Sequence, residues 1–440
     1  MEQKHFSFLF CGIAFCAAGI LFLSYSSNCF RIVPQERFAY FQRDMESFIV
    51  GRMVKSQHDG IFSAAGLPGL GGNDQLPPAY DQPSFVLQYN AFFTGRPLPR
   101  YLPYLSQSGG QGIIAGIAAV LSPFTAENTL FFLYLANSAL TVCMLMALIV
   151  WSYHEWGIGA SLCMYAGCFF SPVFHLFARN LWWCFGAFYL PLIVVLLLCP
   201  KTPYARRAPF YAGVFCAVFI KCFLNGYEYI SAVLIMAVTP IVYYAVTCCW
   251  EIKRSIAVTS TTLGVSLAAV MANMFLLLYQ VAQVKGDWYA GIRHIIMSFL
   301  KRSHGNPVDF SPVYGEGLRA SVGSVMNIYL NDPLSLYGGI RDGLRYWQVI
   351  AMALLGILFL FLYNRKKEKE NSERRRIEGC GAMILVSLCA PLSWFLIFKA
   401  HAYVHNDDVV WYMPFMLYVW GGIGIVASVI VRELYRAVFK

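Results

Sequence analysis

Two carboxylates one residue apart, Asp44 and Glu46 in Gln42-Arg43-Asp44-Met45-Glu46-Ser47-Phe48, stand just beyond the first long apolar run of the chain. A carboxylate on a polar segment leaving a membrane is suited to take a proton from an attacking hydroxyl. Other reactive types fall at the ends of later apolar runs: Arg179 and Asn180 before Leu181-Trp182-Trp183, then Lys221, Tyr227 and Glu228 around Asn225-Gly226, and finally His401 and His405. A planar guanidinium beside an ammonium suits a phosphate. The two histidines are four apart and would share one face of a helix, a spacing open to phosphate or acceptor contact, to metal ligation or to a structural role. Arg179 equally suits a snorkelling position at the interface, and Glu228 an ion pair with Lys221. His58, Tyr101 and Gln107 are weaker candidates for sugar or acceptor contacts.

These residues need elements that bring them together, and composition says which kind. The chain has 440 residues, is 58% hydrophobic and only 13% charged, well below the roughly 25% of soluble domains, so it is an integral membrane protein of all-α class. Ten runs have about the length of a bilayer span: 6–26, 127–152, 157–176, 182–199, 208–224, 228–249, 256–284, 346–363, 381–399 and 408–431. The first follows Lys4, lacks a small-x-small cleavage site and reads as a retained signal anchor. The segment 109–124 is apolar but short and glycine-rich, and reads as interfacial or re-entrant.

The net charge of +10 does not point to nucleic acid, because the cations sit in short loops. Arg365, Lys366, Lys367, Lys369 and Arg374 to Arg376 fill one, Lys201, Arg206 and Arg207 another, and Lys253 and Arg254 a third. Such loops mark the cytoplasmic side, which puts both termini inside, with Lys4, Arg432, Arg436 and Lys440. The expected organisation is a signal-anchor helix (1–26), a first outer loop (27–126), a membrane core (127–284), a second outer loop (285–345) and C-terminal spans with a basic loop at 364–380 (346–440). Both long loops then lie outside, and every candidate residue above falls on that face. The second outer loop, with Lys301-Arg302-Ser303-His304-Gly305-Asn306 and Pro312-Val313-Tyr314-Gly315-Glu316-Gly317, reads as a lid or acceptor-side segment.

Within the first loop, Phe41, Met45, Phe48, Ile49 and Met53 recur at three- and four-residue intervals and predict an amphipathic helix over 38–54, lying on the membrane surface. Residues two apart on a helix point about 200° apart, so Asp44 and Glu46 cannot share a face. One is free to meet a substrate while the other orients a neighbour. The 14 cysteines lie almost all in predicted spans, without Cys-x-x-Cys, and read as packing residues. No Gly-rich phosphate loop suggests a nucleotide, and no cofactor is indicated, the histidine spacing alone leaving a divalent metal open.

A carboxylate facing Arg179, Lys221 and the histidines would deprotonate a hydroxyl while the cations stabilise a departing phosphate, which amounts to glycosyl transfer from a lipid-linked phosphosugar. The layout of anchor span, acidic outer loop, juxtamembrane helix and multi-span core resembles the GT-C superfamily of polyprenyl-phosphate-sugar glycosyltransferases. The Ala178-Arg179-Asn180 turn and the late His401/His405 turn are similar to those of its bacterial members. The resemblance implies a GT-C-like core, an acidic residue of the first outer loop as base (Asp44 or Glu46), a polyprenyl-phosphate (undecaprenyl) sugar donor and a cell-envelope glycan or glycolipid acceptor. It also implies the periplasmic face of a bacterial inner membrane. Protein mannosyltransferases of that superfamily carry a His-Pro-Pro-Leu-type motif where this chain has Leu102-Pro103-Tyr104-Leu105-Ser106-Gln107, so their substrates do not carry over. The chain stops soon after its last span, which argues against an oligosaccharyltransferase. The competing reading is a transporter or flippase of a lipid-linked sugar, which predicts charges along a mid-membrane path and internal repeats.

Overall fold

The computed structural model describes residues 2–202, 207–335, 337, 343–366, 371–405 and 407–439; the basic residues Arg206, Lys367, Lys369 and Lys440 lie outside them. In chain order the helices are α1 (Glu2–Ser27), α2 (Gln35–Tyr40), α3 (Arg43–Asp59), α4 (Gln82–Thr94), α5 (Gly110–Leu121), α6 (Ala126–Trp156), α7 (Ile158–Phe170), α8 (Pro172–Phe177), α9 (Gly186–Leu198) and α10 (Ala208–Asn225). They continue as α11 (Ile230–Thr247), α12 (Ile252–Lys285), α13 (Trp288–Arg302), α14 (Pro312–Arg319), α15 (Val322–Asn331), α16 (Tyr346–Lys366), α17 (Asn371–Ile397), α18 (Lys399–His405) and α19 (Phe415–Val438). One short antiparallel hairpin, β1 (Gly69–Gly72) with β2 (Arg100–Pro103), pairs Gly69 with Pro103 and Gly72 with Arg100.

Among the described residues, eight helices are long and apolar enough to cross a membrane: α1, α6, α10, α11, α12, α16, α17 and α19. Two of the ten expected spans therefore fall short. Residues 157–176 break at Ser171, whose extended backbone (φ −79, ψ 119) is what a residue before proline prefers, and α8 starts afresh at Pro172. In 182–199 helix begins only at Gly186, because the Asn180 carboxamide oxygen takes the N–H groups of Trp182 and Trp183 and Cys184 turns to φ 42. What is left, α7 and α9, has 13 residues each. Thirteen residues rise about 20 Å, against a hydrocarbon core of about 30 Å. The segment 109–124 likewise yields a short apolar helix, α5, of 12 residues.

Both chain ends sit at the same end of the bundle as the basic segments. Phe10 of α1 stacks on Tyr153 near the end of α6, with ring centroids 4.7 Å apart. Nearby, Lys201 approaches Glu155 at 3.8 Å, and Arg432 of α19 pairs with Glu373 of α17 at 3.3 Å. The opposite end carries the two long loops.

The first loop departs from the expected surface helix. Gln42, at φ 45, splits the segment into α2 and α3, and from Phe48 to Val54 every residue of α3 is buried, polar Arg52 included. The helix is enclosed by α4, α5 and the hairpin instead of resting on lipid, since small residues let the backbones close on it. Gly51 meets the Gly69 strand so closely that a Cβ would run into the Gly69 carbonyl, and Gly112 and Gly116 of α5 receive Arg52 and Ser56. Arg52 is 0% exposed, and its guanidinium donates to Ser56, Ser63 and the carbonyls of Gly60 and Ile61, tying down the chain that leaves α3. Gly60 stops the helix at φ 93 with its N–H on the Ser56 carbonyl. Asp81 caps α4 through the Ser84 N–H, and Asp287 caps α13 through the N–H groups of Tyr289 and Ala290.

Candidate active site at the loop end of the bundle

Asp44 and Glu46 lie in the first turn of α3, where negative charge is favoured by the helix dipole, and they face opposite ways: Asp44 is exposed and Glu46 only 4% exposed. Glu46 is fully engaged. Its Oε1 accepts from the hydroxyls of Tyr89 (3.0 Å) and Tyr134 (2.6 Å), and its Oε2 from the Leu181 N–H (3.0 Å). Each of those tyrosines carries an arginine on its ring: Arg43 lies 4.8 Å over Tyr89, and Arg179 4.4 Å over Tyr134 with Phe38 on its other side at 4.6 Å. One carboxylate thus fastens α3 to α4, to α6 and to the turn before α9.

Asp44 stands one helical turn before Phe48, and residues four apart share a face. Phe48 packs on Tyr80 (5.2 Å), Tyr104 (5.3 Å) and Trp182 (5.5 Å), an aromatic cluster that leads to a second polar centre. Arg302, at the end of α13, bonds the Tyr104 hydroxyl (3.4 Å) and the Ser298 carbonyl (3.2 Å). Burial opposes its charge, but the oxygens of Tyr104, Glu228 and Tyr314 outweigh that and raise its pKa further. Lys301 lies 3.9 Å over the Tyr314 ring.

Glu228, in the turn between α10 and α11, bonds His401 Nε2 at 3.0 Å. Burial works against the Glu228 charge, yet His401, Arg302 and His405 hold its carboxyl well below the usual range. The rings of His401 and His405 on α18 are 4.3 Å apart, and the Tyr314 hydroxyl reaches His405 Nε2 at 3.4 Å. Burial of the His405 ring and the neighbouring His401 charge push its pKa down to about 4. Next to this centre Asp407 accepts from the Tyr229 hydroxyl at 2.9 Å, and burial lifts its carboxyl to about 7.

The other residues singled out in the sequence take different positions. Lys221 is 0% exposed and donates to the carbonyls of Gly226 (3.0 Å) and Glu228 (2.6 Å), holding the turn that presents Glu228; its ion pair is with neither Glu228 nor any other described carboxylate. Arg179 belongs to the Glu46 side and Lys221 to the Glu228 side, so the structure does not gather them with the histidines into one cationic cluster. Asn180 pins the turn, donating to the Phe41 carbonyl. Tyr227 and Ser108 both donate to Asn273 of α12. Tyr101 bonds the Leu67 carbonyl, His58 is exposed at the end of α3, and Gln107 is buried against Gly226. Arg302 is the functional candidate that sequence reading undervalued, placing it only in a lid-like loop. Its signal was the amphipathic run of α13, which exposes Tyr289, Ile292, Ile296 and Phe299 and ends on Lys301 and Arg302.

Among the described residues no group of three or more His, Cys, Asp or Glu is placed to hold a metal ion. No family model matches the chain, and no curated protein or solved structure matches it. The arrangement offers an exposed carboxylate on α3, a guanidinium beside two phenols at the end of α13, and a carboxylate–imidazole pair between Glu228 and His401. That set can bind a phosphate monoester, orient a hydroxyl and accept its proton.

Proposed function

We propose that the protein is a membrane glycosyltransferase of GT-C kind that moves a sugar from a polyprenyl-phosphate donor to a hydroxyl of a cell-envelope acceptor. The loop end of the bundle is read as the periplasmic face of a bacterial inner membrane, with both termini and the basic segments on the cytoplasmic side. The observation that carries the reading is Arg302, beside Tyr104 and Tyr314 and within the field of the Glu228 carboxylate, at the end of the bundle where α3 exposes Asp44. The exposed apolar side of α13 suits a helix resting on the membrane surface, which would set Arg302 at the depth of a lipid phosphate.

In this mechanism the acceptor oxygen attacks the anomeric carbon as Asp44 takes its proton. The bond from that carbon to the phosphate oxygen breaks, and its electron pair leaves with the lipid phosphate, whose added charge Arg302 and the phenols stabilise. Attack and departure on opposite faces invert the anomeric centre. Glu228 and His401 orient the acceptor, and Glu46 fixes the helix that aims Asp44.

The test is transfer of labelled sugar from purified polyprenyl-phosphate donors by the full chain, comparing wild type with Asp44→Asn and Arg302→Gln. Loss of a positioned base should lower turnover by about 100-fold or more. Wild-type turnover in both variants would remove the assignment, and donor that crosses the bilayer without being consumed would make the protein a transporter.

A further inference from the structure

At the end of the bundle away from the candidate active site, two cavities join. One, of about 800 Å³, is an apolar groove between α1, α6 and α7, lined among others by Ile13, Ala17, Met146, Val150 and Leu162. The other, of about 500 Å³, is lined by His154, Trp156, Glu373, Arg376 and Arg432. Tyr153 and Ile158 line both, so the apolar groove opens directly into the polar one. A third cavity of about 560 Å³ shares Glu155 and Arg376 with the second and adds Lys201 and Arg375.

The polar mouth is cationic. Lys201, Arg375, Arg376 and Arg432 face two carboxylates, Glu155 and Glu373. Those acids already have partners: Glu155 accepts from the Tyr243 hydroxyl at 2.9 Å and lies 3.8 Å from Lys201, while Glu373 pairs with Arg432 at 3.3 Å. The groove behind the mouth has the opposite chemistry, with walls from helices that themselves cross or enter the membrane core.

We propose that these joined cavities form a binding site for one anionic glycerophospholipid, its phosphate at Arg375, Arg376 and Arg432 and an acyl chain in the groove between α1, α6 and α7. The site is separate from the candidate active site and does not depend on the glycosyltransferase reading. The acyl chain lies along the seam where α1 packs on α6 and α7, beside the Tyr165 hydroxyl that bonds the Ala17 carbonyl. A free phosphate would satisfy the mouth alone, and a neutral lipid the groove alone; only a lipid with an anionic head satisfies both.

The test is retention of lipid by the purified full chain, read by native mass spectrometry after exchange into phosphatidylglycerol or phosphatidylcholine. Wild type should retain one phosphatidylglycerol at least tenfold more tightly than phosphatidylcholine. Arg376→Gln, an exposed substitution that breaks no hydrogen bond among the described residues, should erase that selectivity, and Ala17→Trp, which fills the groove, should lower retention of both lipids. Equal retention of the two lipids by wild type, unchanged selectivity in Arg376→Gln, or displacement of the lipid by inorganic phosphate alone would each overturn the proposal.

Discussion

Glu46→Gln separates an anchoring carboxylate from the one proposed as base. The glutamate is 4% exposed and accepts three hydrogen bonds, from Tyr89, Tyr134 and the Leu181 N–H. Glutamine keeps the shape but has one accepting oxygen. If that oxygen stays with the two phenols, the new amide faces the Leu181 N–H, donor against donor; if it turns to Leu181, both phenols lose their acceptor. Hydrogen bonds to a charged group are worth roughly 1.5–3 kcal/mol each, and an orphaned buried donor adds its own cost, so the loss is about 2–4 kcal/mol. At roughly 1–2 °C per kcal/mol for a chain of this size, melting in detergent should fall by about 2–8 °C. Asp44→Asn, on the exposed face, should melt within about 0.5 kcal/mol of wild type yet lose sugar transfer. Activity of Glu46→Gln, measured below its melting range, should fall far less than that of Asp44→Asn. A Glu46→Gln protein that is inactive but fully stable, beside an active Asp44→Asn protein, would refute the division of labour.

Lys221→Met should destabilise by about 2–4 kcal/mol in a detergent melt, because two charged hydrogen bonds to the Gly226 and Glu228 carbonyls vanish together. Gly51→Ala places a methyl against the Gly69 carbonyl and 2.7 Å from Gln88 Oε1, and should cost about 1–3 kcal/mol by the same measurement. Because the folded pKa of His405 is depressed to about 4, the unfolded chain takes up more protons between the ordinary histidine value and pH 4. Stability should therefore fall as pH falls through that window, a slope that His405→Gln flattens in melts recorded against pH. Asp407 works in the other direction: its folded pKa, raised to about 7, makes its contribution disappear as pH rises from 4 to 7, and Asp407→Asn should flatten that limb.

What could be read from the chain beforehand depended on how local the cause is. Membrane class and the gathering of basic loops at one end follow from composition and charge order, and both are properties of short segments. The opposition of Asp44 and Glu46 follows from helix geometry alone. Which of the two turns inward does not, because the donors that claim Glu46 come from Tyr89, Tyr134 and Leu181, far along the sequence. Arg52 shows the same limit: on a helix with a polar C-terminal half it reads as a solvated charge, but Gly112 and Gly116 lie on α5 and close over it. Lys221 looked like a phosphate ligand by type, and its ammonium is committed to carbonyls only five and seven residues on, in a turn whose shape no periodicity reports. The expected and observed helix lengths differ for a local reason that is visible in the sequence, the Ser171-Pro172 pair and the Asn180 turn, which cut two apolar runs back to helices of 13 residues. Type and spacing therefore identified residues worth attention, while burial and partners redistributed their roles: Glu46 and Lys221 hold the scaffold, Asp44 stays exposed, and Arg302 joins the Tyr104 and Glu228 centre.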